Sequence, residues 1–449
     1  MSTFSGDNNV SKQNPCKRIM DSVPTPRQLE YQDWELGVFL HFGIRTFHEG
    51  HRDWDGREKS MRAENFNPTG LDCRQWAASA AAAGARYMVF TAKHHDGFAN
   101  WPSRYTDFSV ASSPWRQGRG DVVRDYVDAC REYGLKVGFY YSPADAISPL
   151  YEDPRAYDDY FINQISELLG GDYGPVDMLW FDGCGSENHQ YDWERIVGEI
   201  RRMQPEILIF SLGDPDYRWV GNEAGLADSP QWNRVDELFL SVRTDKKLLS
   251  PRARTWLPAE CDLMMRDCNW FFSDRDEHTV KSPCELLGIY DYSVGRGCNM
   301  LINIGPDRRG LLPEKDVAAL LAMHRELLRR FASPIIALAD LKRDRNTWSA
   351  EFPGYGRTDA GEITGTRLLE YAVIMEDIRG GESIRRFRIR IVPYINAALP
   401  ITVYEGGSIG HKAICRFPPV RCRGVIFEVL ENHGPVELRS LEFFPPTEG

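Results

Sequence analysis

From about residue 30 to residue 330, short apolar runs alternate with stretches of helical period, and this limits the fold more than any other feature. The apolar runs are Gly37–Phe42, Tyr87–Thr91, Lys136–Tyr141, Val176–Phe181, Ile207–Phe210 and Asn299–Asn303. Helical patterns fill Cys73–Ala83, Val122–Tyr133, Asp159–Leu169, Trp193–Met203 and Glu314–Arg330. Strands that are apolar on both faces, with helices between them, belong to a parallel sheet covered on both sides. The number of units predicts a (β/α)8-type TIM barrel. No dinucleotide-type glycine loop opens the first unit, which argues against an open doubly wound sheet.

The pattern changes after Ser333. Phe387–Ile391 and Val436–Phe443 alternate apolar and polar with period two, and clusters of Gly, Pro and Asn separate such runs. That is the pattern of antiparallel strands with one wet face, so a C-terminal antiparallel β-sandwich is expected. The resulting division is a flexible N-terminal tail over residues 1–25, a catalytic barrel over 26–333 and a sandwich over 334–449.

Bulk properties remove several classes of function. A net charge of −11 argues against a nucleic-acid binder, since nothing basic dominates to neutralise phosphates. No apolar run is long enough to span a membrane, and the polar first 20 residues lack a signal-peptide core, so a cytoplasmic protein is expected unless a leader has been removed. The 10 cysteines have neither CxxC nor zinc spacing, as expected of reduced buried thiols. Oligomeric state is not legible.

Reactive side chains recur where the strand candidates end. His41 closes the first, and His94, His95 and Asp96 follow the second. Tyr140 and Tyr141 close the third, and Trp180-Phe181-Asp182-Gly183 closes the fourth. In a barrel these ends share one face, where active sites are built. Neighbouring residues of an extended chain point in opposite directions, so His94 and His95 are poorly placed to chelate one metal, and no metal or other cofactor is expected. Asp182 leaves a buried strand, and Glu223 sits in the aromatic, Gly-rich loop DYRWVGNEAG. Two such carboxyls suit glycoside hydrolysis, in which one attacks the sugar carbon and the other protonates the leaving oxygen.

Taken together, these segments resemble the α-L-fucosidases of glycoside hydrolase family 29. The resemblance rests on HFGIRTF (41–47), FNPTGLDCRQW (66–76), AKHHDGFANWPSRYTDFSV (92–110), GRGDVV (118–123), VGFYYSPAD (137–145), LWFDG (179–183), RWVGNEAG (218–225) and VGRGCNMLINIGPDRRG (294–310). TVYEGGSIGHK (402–412) looks like the family's C-terminal sandwich.

The resemblance implies a retaining exo-α-L-fucosidase with Asp182 as nucleophile and Glu223 as acid/base, with Glu260 in LPAECD as the fallback acid. It also implies that His41, Trp54, His94, His95, Tyr140 and Trp180 line the fucose pocket, with Arg218 and Trp270 as further wall residues. Asp53 stands before Trp54 where the family commonly has Glu. The form RWVGNE resembles the subgroup acting on α-1,3/1,4-linked fucose, so the expected partner is a fucosylated oligosaccharide or glycoconjugate. The alternatives are a fucosidase of broader linkage specificity, a fucosylated-glycan-binding protein with weak turnover, and a metal-dependent hydrolase.

Overall fold

The computed structural model describes residues 22–48, 61–186, 188–241, 247–248, 255–395 and 399–447. Eight parallel strands form its larger sheet: β1 (Leu36–Leu40), β2 (Tyr87–Lys93), β3 (Lys136–Tyr141), β4 (Met178–Trp180), β5 (Leu208–Phe210), β6 (Arg218–Trp219), β7 (Ala259–Met264) and β8 (Asn299–Asn303). Their order is β5-β4-β3-β2-β1-β8-β7-β6. An isolated parallel bridge from Phe210 to Tyr217 brings β5 beside β6, so the sheet is a nearly closed barrel.

Helices α1 (Pro26–Trp34), α2 (Cys73–Ala82), α3 (Val122–Glu132), α4 (Pro154–Leu169), α5 (Trp193–Met203), α6 (Pro283–Tyr292) and α7 (Glu314–Arg330) accompany the strands. Four of them start at an aspartate. Asp72, Asp121, Asp153 and Asp192 each accept backbone N–H bonds from the first turn of α2, α3, α4 and α5. An N-cap of this kind satisfies otherwise orphaned donors and fixes where each loop from the barrel mouth ends.

Helix α1 precedes β1 and lends Tyr31 and Trp34 to the barrel's interior cluster with Tyr87, Tyr140, Trp180, Tyr217 and Trp219. The Tyr31 and Tyr217 rings lie 4.5 Å apart. The interior is therefore packed with aromatic side chains below the mouth, and space opens only above them.

Two short antiparallel sheets follow the barrel. One contains Ile336–Ala337, Leu438–Phe444, Arg367–Glu376 and Ala413–Cys422. The other contains Lys342–Asp344, Thr347–Glu351, Gly424–Asn432, Ile384–Val392 and Ile401–Gly406. Trp348, Leu369, Ile374, Phe387, Phe427 and Phe443, drawn from both sheets, form one core. A half-buried polar cluster joins the two units. Glu35, between α1 and β1, accepts from Lys412 Nζ at 2.6 Å and lies 3.0 Å from His411 Nε2.

Two barrel strands are absent from the sequence reading. β6 is two residues long, too short to show a period. β7, AECDLM, puts the carboxyls of Glu260 and Asp262 into the barrel, so it does not read as an apolar run.

Candidate active site

A cleft of about 700 Å3, open at one end, lies at the C-terminal mouth of the barrel. Its wall includes His41 beyond β1, His94 and His95 from the end of β2, Tyr140 from β3, Trp180 from β4 and Phe210 from β5. Trp219 of β6, Glu223 beyond it, Asp262 of β7, Asp182 beyond β4 and Trp270 also line it.

Strand register explains the aromatic wall. Tyr140, Trp180 and Phe210 are paired neighbours across β3, β4 and β5, so their inward side chains fall in one layer. The Tyr140 and Trp180 rings stack at 5.5 Å and the Trp180 and Phe210 rings at 4.1 Å. His94 extends the row, lying nearly parallel to Tyr140 at 5.4 Å. Flat rings held in this way offer an apolar face to a sugar or its methyl group.

Asp182 is held from three sides. Tyr140 Oη donates to its Oδ2 at 2.9 Å, the Cys184 backbone N–H donates to its Oδ1 at 2.8 Å, and His95 Nε2 stands 3.4 Å from Oδ2. Burial alone would push this carboxyl up, but the His95 interaction, the Cys184 N–H and the Tyr140 hydroxyl outweigh it and hold the pKa below the usual aspartate range. Asp182 is thus an ionised group with a defined orientation at the foot of the cleft.

His41 is fixed through its second nitrogen. Its Nδ1 lies 2.8 Å from Asn303 Oδ1, while Asn303 Nδ2 donates to the Trp270 carbonyl at 2.7 Å. The amide orientation makes Asn303 Oδ1 an acceptor, so Nδ1 carries the proton and Nε2 is left as an acceptor. Burial pushes the His41 pKa down to about 3, against the raising effect of the Asn303 bond, so the ring is neutral. Burial likewise lowers the pKa of His94, whose Nδ1 has no hydrogen-bond partner among the described residues and lies 4.0 Å from Asp96 Oδ2. His95 Nδ1 is 2.6 Å from Ser142 Oγ, which itself donates to the Ala144 carbonyl.

The turn that presents these imidazoles is braced from below. Arg45 Nε donates to Asp96 Oδ2 at 3.0 Å, and Asp96 Oδ1 accepts from the Phe98 N–H. Among the described residues, no group of three or more His, Cys, Asp or Glu is placed to hold a metal ion.

Three further acids occupy different depths. Glu223 is exposed at the cleft. Asp262 lies deeper, is almost fully buried, and accepts from Trp219 Nε1 at 2.6 Å. Glu260 is fully buried beneath the cleft. Tyr31 and Tyr87 donate to its Oε2 at 3.0 and 2.8 Å, and Trp180 Nε1 donates to its Oε1 at 2.8 Å. Burial raises the Glu260 pKa to about 7 against those three bonds. Its role in the geometry is to anchor the Trp180 ring from behind.

The structure brings together Asp182, Glu223, His41, His94, His95, Tyr140, Trp180 and Trp270 around one cleft. Trp54 lies outside the described residues, as does Asp53. Arg218 is not part of the wall. Side chains alternate along β6, so Trp219 faces the cleft while Arg218 turns away and donates to the Trp232 carbonyl at 3.0 Å. The reading from sequence missed Phe210, Trp219 and Asp262. Trp219 was reachable from alternation once a neighbour was placed. Asp262 was marked only by its i, i+2 spacing from Glu260 in LPAECD.

A β/α barrel that carries carboxyl groups and aromatic faces around a cleft at its C-terminal mouth has the parts that a glycoside hydrolase uses. The family model for alpha-L-fucosidase matches residues 5–328. The chain is 37% identical over 330 residues to alpha-L-fucosidase 1 of Arabidopsis thaliana, covering 71% of this chain and 63% of that protein. A relative from Oryza sativa subsp. japonica is 34% identical over 427 residues, or 89% of this chain and 80% of that one. Among solved structures, a glycoside hydrolase 29 family member from an unknown rumen bacterium superposes with a TM-score of 0.83 at 31% identity, over 95% of this chain and 78% of that one. A Ruminococcus gnavus GH29 fucosidase in complex with fucose shares the fold at 22% identity, with a TM-score of 0.78 over 95% of this chain and 96% of that one. The chain belongs to the alpha-L-fucosidase family, glycoside hydrolase family 29.

Proposed function

We propose that this chain is a retaining exo-α-L-fucosidase that removes terminal α-1,3- or α-1,4-linked L-fucose from oligosaccharides or glycoconjugates. Asp182 is the nucleophile and Glu223 the general acid/base. The observation that carries this reading is the state of Asp182, ionised, aimed by three contacts and sharing its cleft with an exposed second carboxyl.

In the first step an Asp182 oxygen bonds to the anomeric carbon while the bond to the leaving oxygen breaks and Glu223 gives that oxygen its proton. Glu223, now a carboxylate, then takes a proton from water. The hydroxide so formed displaces Asp182 and frees fucose with its anomeric configuration retained. Neutral His41 accepts from a ring hydroxyl through Nε2, and His94 and His95 supply further hydrogen-bonding atoms. The rings of Tyr140, Trp180, Phe210 and Trp270 face the apolar side of the sugar.

The linkage assignment rests on RWVGNE, and the fucose complex of the R. gnavus enzyme supports a fucosylated substrate. Among the described residues no helix is long and apolar enough to cross a membrane.

The test is replacement of Asp182 by Ala with an aryl fucoside as substrate. Turnover is expected to fall by orders of magnitude, and added azide to restore part of it with formation of a fucosyl azide. Near-normal hydrolysis by D182A would remove Asp182 from the nucleophile's place. Comparing α-1,3/1,4- with α-1,2-fucosylated oligosaccharides tests the linkage, and strong α-1,2 cleavage overturns it.

A further inference from the structure

The loop that carries Glu223 is laid along the outside of the barrel by its own sequence. After Trp219 the chain reads Val220-Gly-Asn-Glu-Ala-Gly-Leu-Ala227. Gly221 and Gly225 take positive φ, 107° and 73°, which glycine adopts freely, and Asn222 closes the turn between them. Asn222 Oδ1 accepts from the Ala224 and Leu226 N–H groups at 3.1 and 3.4 Å, and its Nδ2 donates to the Leu226 carbonyl at 2.8 Å. The Ala227 N–H donates to the Tyr292 carbonyl at 2.9 Å, and the Arg296 guanidinium donates to the Ala227 carbonyl. These bonds fix the loop to the end of α6.

One side of this loop borders the cleft described above. On its other side runs a groove of about 940 Å3 whose wall takes in Glu223, Leu226, Gly288, Ile289 and Tyr292. Gly288 and Tyr292 also border a second hollow of about 970 Å3, where Gln231 of the barrel meets Phe387, Tyr404 and Ser408 of the sandwich. Ser408 Oγ ties the seam there by donating to the Gln231 carbonyl at 3.1 Å. Cleft, groove and hollow are consecutive, sharing first Glu223 and then Gly288 with Tyr292.

Gly288 lies inside α6, where glycine is less favourable than alanine. A Cβ added there meets nothing within 4 Å outside its own helix among the described residues, so no neighbour needs the space. Tyr292 is 48% exposed, and the Arg296 guanidinium lies 4.2 Å from its ring centroid, which braces the ring without burying it. An open glycine floor beside a braced aromatic ring is a surface on which a sugar can lie. Of the basic groups along it, Lys281 is bound to Asp267 at 2.5 Å and Arg416 to Glu370 at 2.9 Å, while Arg296 is held by the Ala227 carbonyl. Paired in this way, they suit neutral hydroxyls and not a free anion.

We propose that the groove and the hollow at the seam form one track that binds the neutral oligosaccharide bearing the fucose, with Gly288 as its floor and Tyr292 as its stacking ring. This rests on the reading of Glu223 as acid/base. A glycosidic oxygen that takes its proton from Glu223 lies against that residue, so the sugars on its far side leave the cleft across the loop and enter the groove. The sandwich then receives the part of the oligosaccharide farthest from the bond being cut, beside Phe387 and Tyr404, whose rings stack at 6.0 Å.

The experiment sets a long fucosylated oligosaccharide against an activated aryl fucoside, whose leaving group is too small to reach the track. Gly288→Trp fills the floor and Tyr292→Ala removes the ring, and neither residue lines the cleft. In both variants KM for the oligosaccharide is expected to rise about tenfold, with kcat/KM on the aryl fucoside at the wild-type value. Gly288→Ala and Tyr292→Phe are expected to keep the wild-type KM. An oligosaccharide KM unchanged in both Gly288→Trp and Tyr292→Ala overturns the proposal, and so does an equal loss on the two substrates in both. Saturation-transfer NMR with the same oligosaccharide lacking its fucose decides the track without turnover. A signal with wild type that disappears in Gly288→Trp supports it, and no signal with wild type overturns it. Glu223→Ala tests the underlying reading separately: an equal loss on both substrates removes the acid/base assignment and leaves the NMR result standing.

Discussion

Replacing Tyr140 with Phe isolates the contribution of one hydroxyl to the state of Asp182. The Tyr140 Oη donates to Asp182 Oδ2 at 2.9 Å from a ring that is fully buried and stacked on Trp180. The substitution therefore removes a hydrogen bond and leaves the packing in place. A hydrogen bond to an ionised group is worth about 1.5–3 kcal/mol, and about 1.4 kcal/mol corresponds to one pH unit. The Cys184 N–H and His95 remain, so the lower end applies, giving a shift of about one unit.

The sign follows from which form is bonded. The hydroxyl stabilises the carboxylate, so its loss raises the Asp182 pKa from its depressed position toward the ordinary value. The acidic limb of kcat/KM moves up in pH, while at neutral pH, above both values, Asp182 is ionised in both proteins. The assay is kcat/KM against pH on an activated aryl fucoside, where acid assistance is least needed. An acidic limb that does not move, together with a large loss at neutral pH, would refute the reasoning. Tyr140 would then act on the substrate and not through Asp182.

Glu35→Gln tests the joint between barrel and sandwich. Burial alone would raise the Glu35 pKa, but His411 and Lys412 bring it from 4.5 down to about 2. A depressed carboxyl contributes stability that is complete above its unfolded pKa and lost as pH falls through its folded value. The variant should therefore be less stable than wild type by about 3 kcal/mol at pH 7, with the gap in urea midpoints closing toward pH 2–3; a gap independent of pH contradicts this. Gly183→Ala would place a Cβ 1.9 Å from the Leu240 backbone oxygen at the cleft, so activity and thermal midpoint should both fall sharply, and an active, stable variant argues against this close approach. Arg218→Met removes the bond to the Trp232 carbonyl outside the cleft, so stability should drop by about 1–2 kcal/mol with KM for an aryl fucoside unchanged; a raised KM would return Arg218 to the wall.

The legible part of this protein is the part where local pattern and function coincide. Six of the barrel's eight strands are mainly apolar, and the residues that end four of them, His41, His94 and His95, Tyr140 and Trp180 with Asp182, stand in the cleft as the strand-end rule requires. Where the pattern is short or mixed, the reading fails for identifiable reasons. β6 is two residues long, so nothing in RW says which of the pair faces inward, and Arg218 was assigned the place that Trp219 holds.

β7 was lost because its polar residues are its inward ones, and those residues supply the second half of the site. Sequence shows that Glu260 and Asp262 share a face, since they are two apart on a strand. It does not show depth, because height along the barrel axis depends on the stagger of all eight strands. Depth decides their chemistry. One step down, Glu260 meets three donors and becomes the anchor of Trp180. One step up, Asp262 accepts from the Trp219 side chain and borders the open cleft. The same two residue types on the same strand are thus divided between holding the wall and facing the reaction.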